Sequence, residues 1–277
     1  MIRFKSHWKV PRLRLLSPED PPVAGLENPR GGSSVVLVCE HGGRAYPSKL
    51  RQLGLTDQQA RRHFAWDIGA LDLARALAAA LDAPLLHQRY SRLICDGNRK
   101  PSAPSFIPAQ GEEISIPGNA GISNDERNAR LNEVWKPFHD NLSDLLDQRD
   151  RSALKTILIS IHSFTPVFLG ERRSLKVGIL CDRERRFSDP LYMQLQQTFG
   201  EHAALNEPYD MTREDDYTIP VHAEDRGLLC AEIEVRNDLI SNPVDIALWA
   251  EILHEAISGA IDAVAVNIRA EAKKQND

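Results

Sequence analysis

The chain lacks most of the signatures that assign a protein quickly. Its four cysteines (Cys39, Cys95, Cys181, Cys230) are far apart and form no C-x-x-C pair, which removes the usual mark of a thiolate-held metal or a dithiol redox centre. Three of them sit in or at the end of the apolar runs VLVCE, VGILCD and GLLCAE, where cysteine acts as a small buried hydrophobe. Free thiols of that kind point to a reducing cytoplasm. No run approaches the ~18 apolar residues of a membrane span, and the opening MIRFKSHWKVPRLRLLSPEDPP has no apolar core of a signal peptide. A formal charge of -5 gives no reason to expect nucleic acid or an anionic membrane as partner, and the basic stretch RERRF at 183–187 is short and broken by Glu184. There is no G-x-S-x-G elbow, no G-x-x-x-x-G-K-[ST] loop and no G-x-G-x-x-G after a strand, so acyl-serine, P-loop and dinucleotide chemistries lose their usual support.

What is present is an ordinary globular composition, 42% apolar and 26% charged over 277 residues. Residues 1–32, rich in Pro, Gly and charge, read as an N-terminal arm or linker, and 33–277 as a single domain without a second linker or repeat. Apolar runs predict strands at 33–39, within 83–96, and at 155–161, 175–182 and 227–235; three of the five are nearly continuous, as central strands covered on both faces are. Helix starts stand between them. Thr56–Gln59 and Ser123–Glu126 are capping boxes, and Asp189-Pro190 and Asn242-Pro243 pair a capping residue with proline. Strands alternating with helices predict an α/β layered fold with a mostly parallel sheet. The segment 101–121 has no period and several prolines, which in a compact domain marks a functional loop, here expected as a lid.

In open α/β sheets ligands bind beyond the carboxyl ends of the strands, and titratable groups crowd there. The first strand delivers Glu40 and His41, the 155–161 strand His162, and the 175–182 strand Asp182. The last strand carries Glu232, Glu234 and Arg236 at alternate positions, hence on one face. Two imidazoles after separate strands, with carboxylates nearby, suit a zinc site of N and O ligands, although each histidine alone reads better as a satisfied strand end. Glu234 is open between a structural pair with Arg236 and a general base that takes a proton from water. In YSRLICDGNRK, Arg92, Asp96, Asn98 and Arg99 read either as a surface loop held by Arg–Asp pairs or, since Arg92 and Arg99 flank an apolar Leu-Ile-Cys, as guanidinium groups inside the fold that suggest an acidic ligand. His139 and His222 are weaker candidates, the second within reach of a substrate.

These strings together resemble a family. CEHGG after the first strand, YSRLICDGNR, SIPGNAGIS followed by ER, the W-x-P-F-H segment, IHSF and EIEVRNDLI fall in the order found in the N-formylglutamate amidohydrolases and their relatives, from about Val35 to Asn242. That family is similar to the zinc-dependent carboxypeptidases, so the resemblance implies a three-layer α/β/α sandwich with a mostly parallel mixed sheet of zinc-exopeptidase type. It implies one divalent metal ion per chain, zinc, on His41 and His162, with Glu234 as general base and Asn98-Arg99 receiving a substrate carboxylate. The carboxypeptidase H-x-x-E is not kept, because Arg44 stands three residues after His41. The third ligand is expected from Asp67, or else Glu40. The function so implied is a metal-dependent amidohydrolase that removes an N-formyl or N-acyl group from a small acidic amino acid. Glu234 and Arg92 would be catalytic, and Asn98, Arg99, Arg236 and His222 would contact substrate. The alternatives are a peptide or cell-wall-type amidase of the same fold and a non-catalytic small-molecule binding module. The apolar last helix leaves a homo-oligomer open.

Overall fold

Each of the five apolar runs becomes a strand of one sheet. A computed structural model of the chain describes residues 13–274, with side chains to residue 270. The strands are β1 (Ala24–Glu27), β2 (Val35–Cys39), β3 (Leu85–Gln88), β4 (Ile157–Phe164), β5 (Val177–Leu180), β6 (Ala203–Leu205) and β7 (Leu229–Arg236), in the order β1-β3-β2-β4-β7-β5-β6. The central β3, β2, β4 and β7 run parallel. β1 joins β3 antiparallel, while β5 and β6 are parallel to each other and antiparallel to β7. The sheet is therefore mixed and mostly parallel.

Alternate residues sort into two apolar layers. Val35, Leu37, Ile159, Ile161, Ala231 and Ile233 face a core shared with the helices α1 (Ala70–Leu81), α3 (Ser188–Phe199) and α4 (Pro243–Lys274). Val36, Val38, Leu158 and Cys230 face the opposite core, which includes Phe138, Leu142, Leu145 and Leu146 of α2 (Lys136–Arg151). Each fully buried Val, Leu or Ile contributes about 1.5–3 kcal/mol, so covering both faces fixes the α/β/α layering. All four cysteines are buried and free.

The helix signals held with adjustments. Thr56 forms its capping box, but the helix it opens ends at Ala60. Asn242 Oδ1 accepts the Val244 and Asp245 amides at 3.0 and 3.1 Å, capping α4. Asp189 is not a cap, because α3 begins one residue earlier. Before Pro137 the chain relaxes into a π-helical turn, Leu131–Trp135; such turns accommodate residues that break the regular ladder.

Residues 24–27, expected in the arm, instead pair with the open edge of β3, Ala24 opposite Gln88. The Leu15 and Leu16 amides both donate to the Glu133 carboxylate at 2.9 Å, so 13–32 is laid against the domain. The first twelve residues of the expected arm lie outside the described residues. No helix among the described residues is long and apolar enough to cross a membrane.

Beyond the carboxyl edge of the sheet a third apolar cluster forms from the connecting segments, with Leu53, Tyr90, Ile94, Phe106, Ile116 and Trp135 buried in it. Buried Arg130 donates to Asn119 Oδ1 at 2.5 Å and to Ile94 O at 3.2 Å. Asn119 in turn donates to the Leu93 and Pro108 carbonyls, both at 2.8 Å. The base of the 101–121 segment is thereby pinned to the core. After His41 the chain runs beside residues 89–91, and a Cβ on Gly43 would come within 2.6 Å of Tyr90 O and closer still to the Arg89 carbonyl. Gly43→Ala is expected to destabilise the fold by about 1–3 kcal/mol, the usual range for overpacking, read as a lowered urea midpoint; an unchanged midpoint would show that the two segments separate freely.

Candidate active site

One face of the sheet changes character along its strands. On the α2 side, β2 runs Val36, Val38 and then Glu40; β4 runs Leu158, Ser160, His162; β7 runs Cys230, Glu232, Glu234. The period of two keeps the side-chain direction, so the apolar layer gives way to ionisable groups where the parallel strands approach their carboxyl ends. Register places Glu234 beside His162 and Glu232 beside Ser160. Buried carboxyls are costly unless paired or ligating, and these four groups (Glu40, His162, Glu232, Glu234) are all at most 5% exposed.

His41 follows Glu40 out of the sheet, and its carbonyl accepts the Asp67 amide at 2.9 Å, which brings Asp67 into the cluster. Ligand atoms of His41, Asp67 and His162 lie within 4.8 Å of one another, all buried. Asp67 Oδ2 is 2.9 Å from His162 Nδ1 and 3.6 Å from His41 Nδ1. The two rings meet edge to face at 4.7 Å between centroids. Their other nitrogens face carboxylates: His41 Nε2 is hydrogen-bonded to Asp96 Oδ1 at 2.7 Å, and His162 Nε2 lies 3.2 Å from Glu40 Oε2. Ser160 Oγ donates to that Glu40 oxygen at 2.7 Å. His41 Nδ1 itself is buried without a hydrogen-bond partner. His162 Nε2 is likewise without a hydrogen-bond partner. The orphaned His41 Nδ1, His162 Nδ1 and the Asp67 oxygen between them, with Asp96 bonded to the outer nitrogen of His41, fit a divalent metal of the N/O-ligated kind. His162, Glu232 and Glu234 form a second group of the same compactness.

The carboxyls divide by environment. Burial would raise Asp67 and Asp96, but their partners reverse this and hold both well below the carboxylate range: the His41 and His162 rings for Asp67, the Arg92 guanidinium and the His41 ring for Asp96. Burial is likewise overcome at Glu40, which the His162 charge and the Ser160 hydroxyl bring down to about 2. At Glu232 burial wins and pushes the carboxyl up to about 7 despite His162; Glu234 is raised well above its ordinary value for the same reason. Burial opposes the charge on His162 too, and there Glu232 and Glu40 prevail and raise it. Carboxyls pushed apart in this way separate fixed anions from a proton carrier.

A cavity of about 280 Å³ opens onto the cluster, lined by His41, Asp67, His162, Glu232 and Glu234 together with Arg92, Asn98 and Arg99. Its outer wall is made of Gln110–Glu112, from a small hairpin in the 101–121 segment, with Phe168 and Tyr209. Arg92 grips Asp96 through Nε at 3.0 Å and Nη2 at 2.5 Å, and its Nη1 is 3.5 Å from Asp67. Arg99 is paired with Asp216. Asn98 donates to Glu232 at 3.1 Å and accepts the Thr218 amide at 3.0 Å.

The sequence model of the family described as N-formylglutamate amidohydrolase matches residues 33–241. The chain belongs to the N-formylglutamate amidohydrolase family. Among solved structures, gene product Atu2144 from Agrobacterium tumefaciens is 37% identical, with 91% of this chain and 100% of that one covered at a TM-score of 0.88. N-formylglutamate amidohydrolase from Ralstonia eutropha JMP134 is 18% identical, with 88% and 98% covered at a TM-score of 0.61, a likeness of fold. No curated protein matches the chain.

For this member of the N-formylglutamate amidohydrolase family, the structure brings His41, His162, Asp67, Glu234, Arg92, Asn98 and Arg99 together around one cavity. Glu40 is present too, but it approaches His162 at Nε2, on the ring edge away from Asp67. Two expected substrate contacts are not brought to that cavity. Arg236 turns back to donate to the carbonyls of Arg173 and Leu175 and to Asp238. His222 is buried behind it, 2.9 Å from His139 Nδ1, while His139 Nε2 is 2.9 Å from Gly97 O; burial lowers the two rings to about 4 and about 3 and keeps them neutral. Asp182 stands at the opposite edge, because β5 runs antiparallel, and it sits 3.6 Å from Arg213 instead. The hold of Asp96 on His41 and the wall residues Phe168 and Tyr209 went unforeseen. Asp96 was visible beside Asn98 and Arg99, whereas nothing in the sequence around Phe168 or Tyr209 marks them.

Proposed function

We propose that the protein is a metal-dependent amidohydrolase that removes an N-formyl or other small N-acyl group from an acidic amino acid. The observation that carries this reading is the convergence of His41, Asp67 and His162 at the floor of a cavity whose wall holds an unpartnered Glu234 oxygen and two arginines. His41, Asp67 and His162 would hold the metal, expected to be zinc, which when bound supplies Lewis acidity toward the amide carbonyl and water, and positive charge that favours ionised carboxylates around it.

The chain's own groups perform the rest. Asp96 and Glu40 fix the orientation of the two imidazoles. Glu234 takes a proton from water as its oxygen adds to the carbonyl carbon, then gives that proton to the amide nitrogen as the C–N bond breaks. Formate, or the corresponding acid, and the free amino acid are released. Arg92, charged and held beside Asp67, stabilises negative charge as it develops on the carbonyl oxygen. Arg99 exchanges Asp216 for the substrate carboxylate. A cavity of about 280 Å³ suits a small molecule better than a length of peptide.

The test is direct. Chain purified with zinc is expected to carry about one zinc ion and to release formate from N-formyl-L-glutamate; a chelator removes both properties and zinc restores both. Zinc-loaded chain without turnover of any N-acyl acidic amino acid would leave the binding module as the surviving reading.

A further inference from the structure

The cavity lining is rich in carboxyls: Asp67, Asp96, Glu112, Asp210, Asp216, Glu232 and Glu234 all contribute to it. A substrate bearing two carboxylates needs two cations, and a cation that is already paired must give up its partner to serve. Arg92 is held by Asp96 and Asp67, and Arg99 by Asp216.

Arg173 differs. It leaves the short hairpin Val167–Arg172, half-buried, and lays its guanidinium carbon 4.7 Å from the Phe168 ring centroid, 5.1 Å from Tyr209 and 5.7 Å from Phe164. Two of those rings, Phe168 and Tyr209, line the cavity, so Arg173, which is not itself part of the lining, stands one aromatic layer from it. Its Nη1 donates to Tyr209 Oη at 3.2 Å. Among the described residues no carboxylate pairs with it. Aromatic faces hold a guanidinium by its plane and leave N–H donors at its edge free to grip a carboxylate in bidentate fashion.

We propose that Arg173, seated on Phe164, Phe168 and Tyr209, binds the side-chain carboxylate of the substrate and so selects acidic amino acids over neutral ones. This rests on the reading of the site as one for N-acyl amino acids, and it assigns the second carboxylate, Arg99 being left with the first. The aromatic seat keeps the cation ordered without neutralising it.

N-formyl-L-glutamate and N-formyl-L-glutamine share a skeleton and differ at the side-chain terminus, so their ratio isolates this contact. Both are titrated calorimetrically into Glu234→Gln chain, in which turnover is slowed, and into the same chain carrying Arg173→Met, with the ligand checked as intact after each titration. The parent is expected to bind the glutamate compound roughly 10- to 100-fold more tightly, the value of a charge-assisted pair. Arg173→Met is expected to abolish the preference by weakening that compound alone. Arg173→Lys, which keeps charge without the fork, should fall between, and circular dichroism confirms that all variants are folded. A preference that survives Arg173→Met, or a parent with no preference or no binding, would overturn the assignment. Turnover is assayed separately with Glu234 intact, so loss of preference in a chain that binds without hydrolysing would retain the Arg173 site and remove the hydrolase.

Discussion

Glu234→Gln is expected to lower kcat on N-formyl-L-glutamate by about 10²- to 10⁴-fold, the usual contribution of a positioned general base, with metal content and thermal midpoint little changed. The substitution keeps volume and shape. Glu234 Oε2 has no hydrogen-bond partner to lose, and an amide is easier to bury than a carboxylate. The effect should therefore appear in chemistry and not in folding. Glu232, two residues away on the same face, is the natural comparison. Its carboxylate is engaged by Asn98, so Glu232→Gln should reduce kcat less. If the order of the two effects were reversed, the proton-transfer role would pass to Glu232.

Asp67→Ala is expected to abolish zinc retention and to cut turnover by on the order of 10³-fold or more, since on the proposed reading it removes a ligand and with it the main source of charge stabilisation. Among the described residues Asp67 is the one carboxylate paired with Nδ1 of both histidines, and it also steadies Arg92 at 3.5 Å. A thermal shift provides a second readout. Zinc should raise the midpoint of the parent by mass action on the native state, and should leave the variant unmoved. Zinc retained at full occupancy in Asp67→Ala would transfer the third-ligand role to Glu40 or to the glutamates of β7.

The central strands and most of the cluster could be read from sequence because the signals are local and strong. A continuous apolar run ending in Cys-Glu-His specifies both a buried strand and what stands at its end, and the same holds for ILISIHSF. Strand direction is not encoded locally. The run VGILCD looks like its parallel neighbours, yet it pairs antiparallel with β7, and Asp182 consequently stands at the far edge. Alternation placed Arg236 on the face of Glu232 and Glu234, but a long side chain at a strand end can turn away, and three backbone carbonyls capture it. β1 has four residues and a mixed burial pattern, so its existence depends on the open edge of β3, a tertiary circumstance. The walls at Gln110–Glu112, Phe168 and Tyr209 come from irregular segments, where chemistry follows from contact and not from period.

The gradient from Val36 to Glu40, Leu158 to His162 and Cys230 to Glu234 has a consequence for how such a protein can change. Those ionisable groups are set at the spacing of a hydrogen-bonded ladder, a scaffold whose dimensions do not respond to what happens in the connecting segments. The parts that wall the cavity, at 110–112, 168 and 209, belong to those segments. Recognition can therefore drift by exchange of a hairpin tip or a single aromatic residue while the distances among imidazoles and carboxylates stay fixed. The division is that of a vice with replaceable jaws, its screw cut into the sheet.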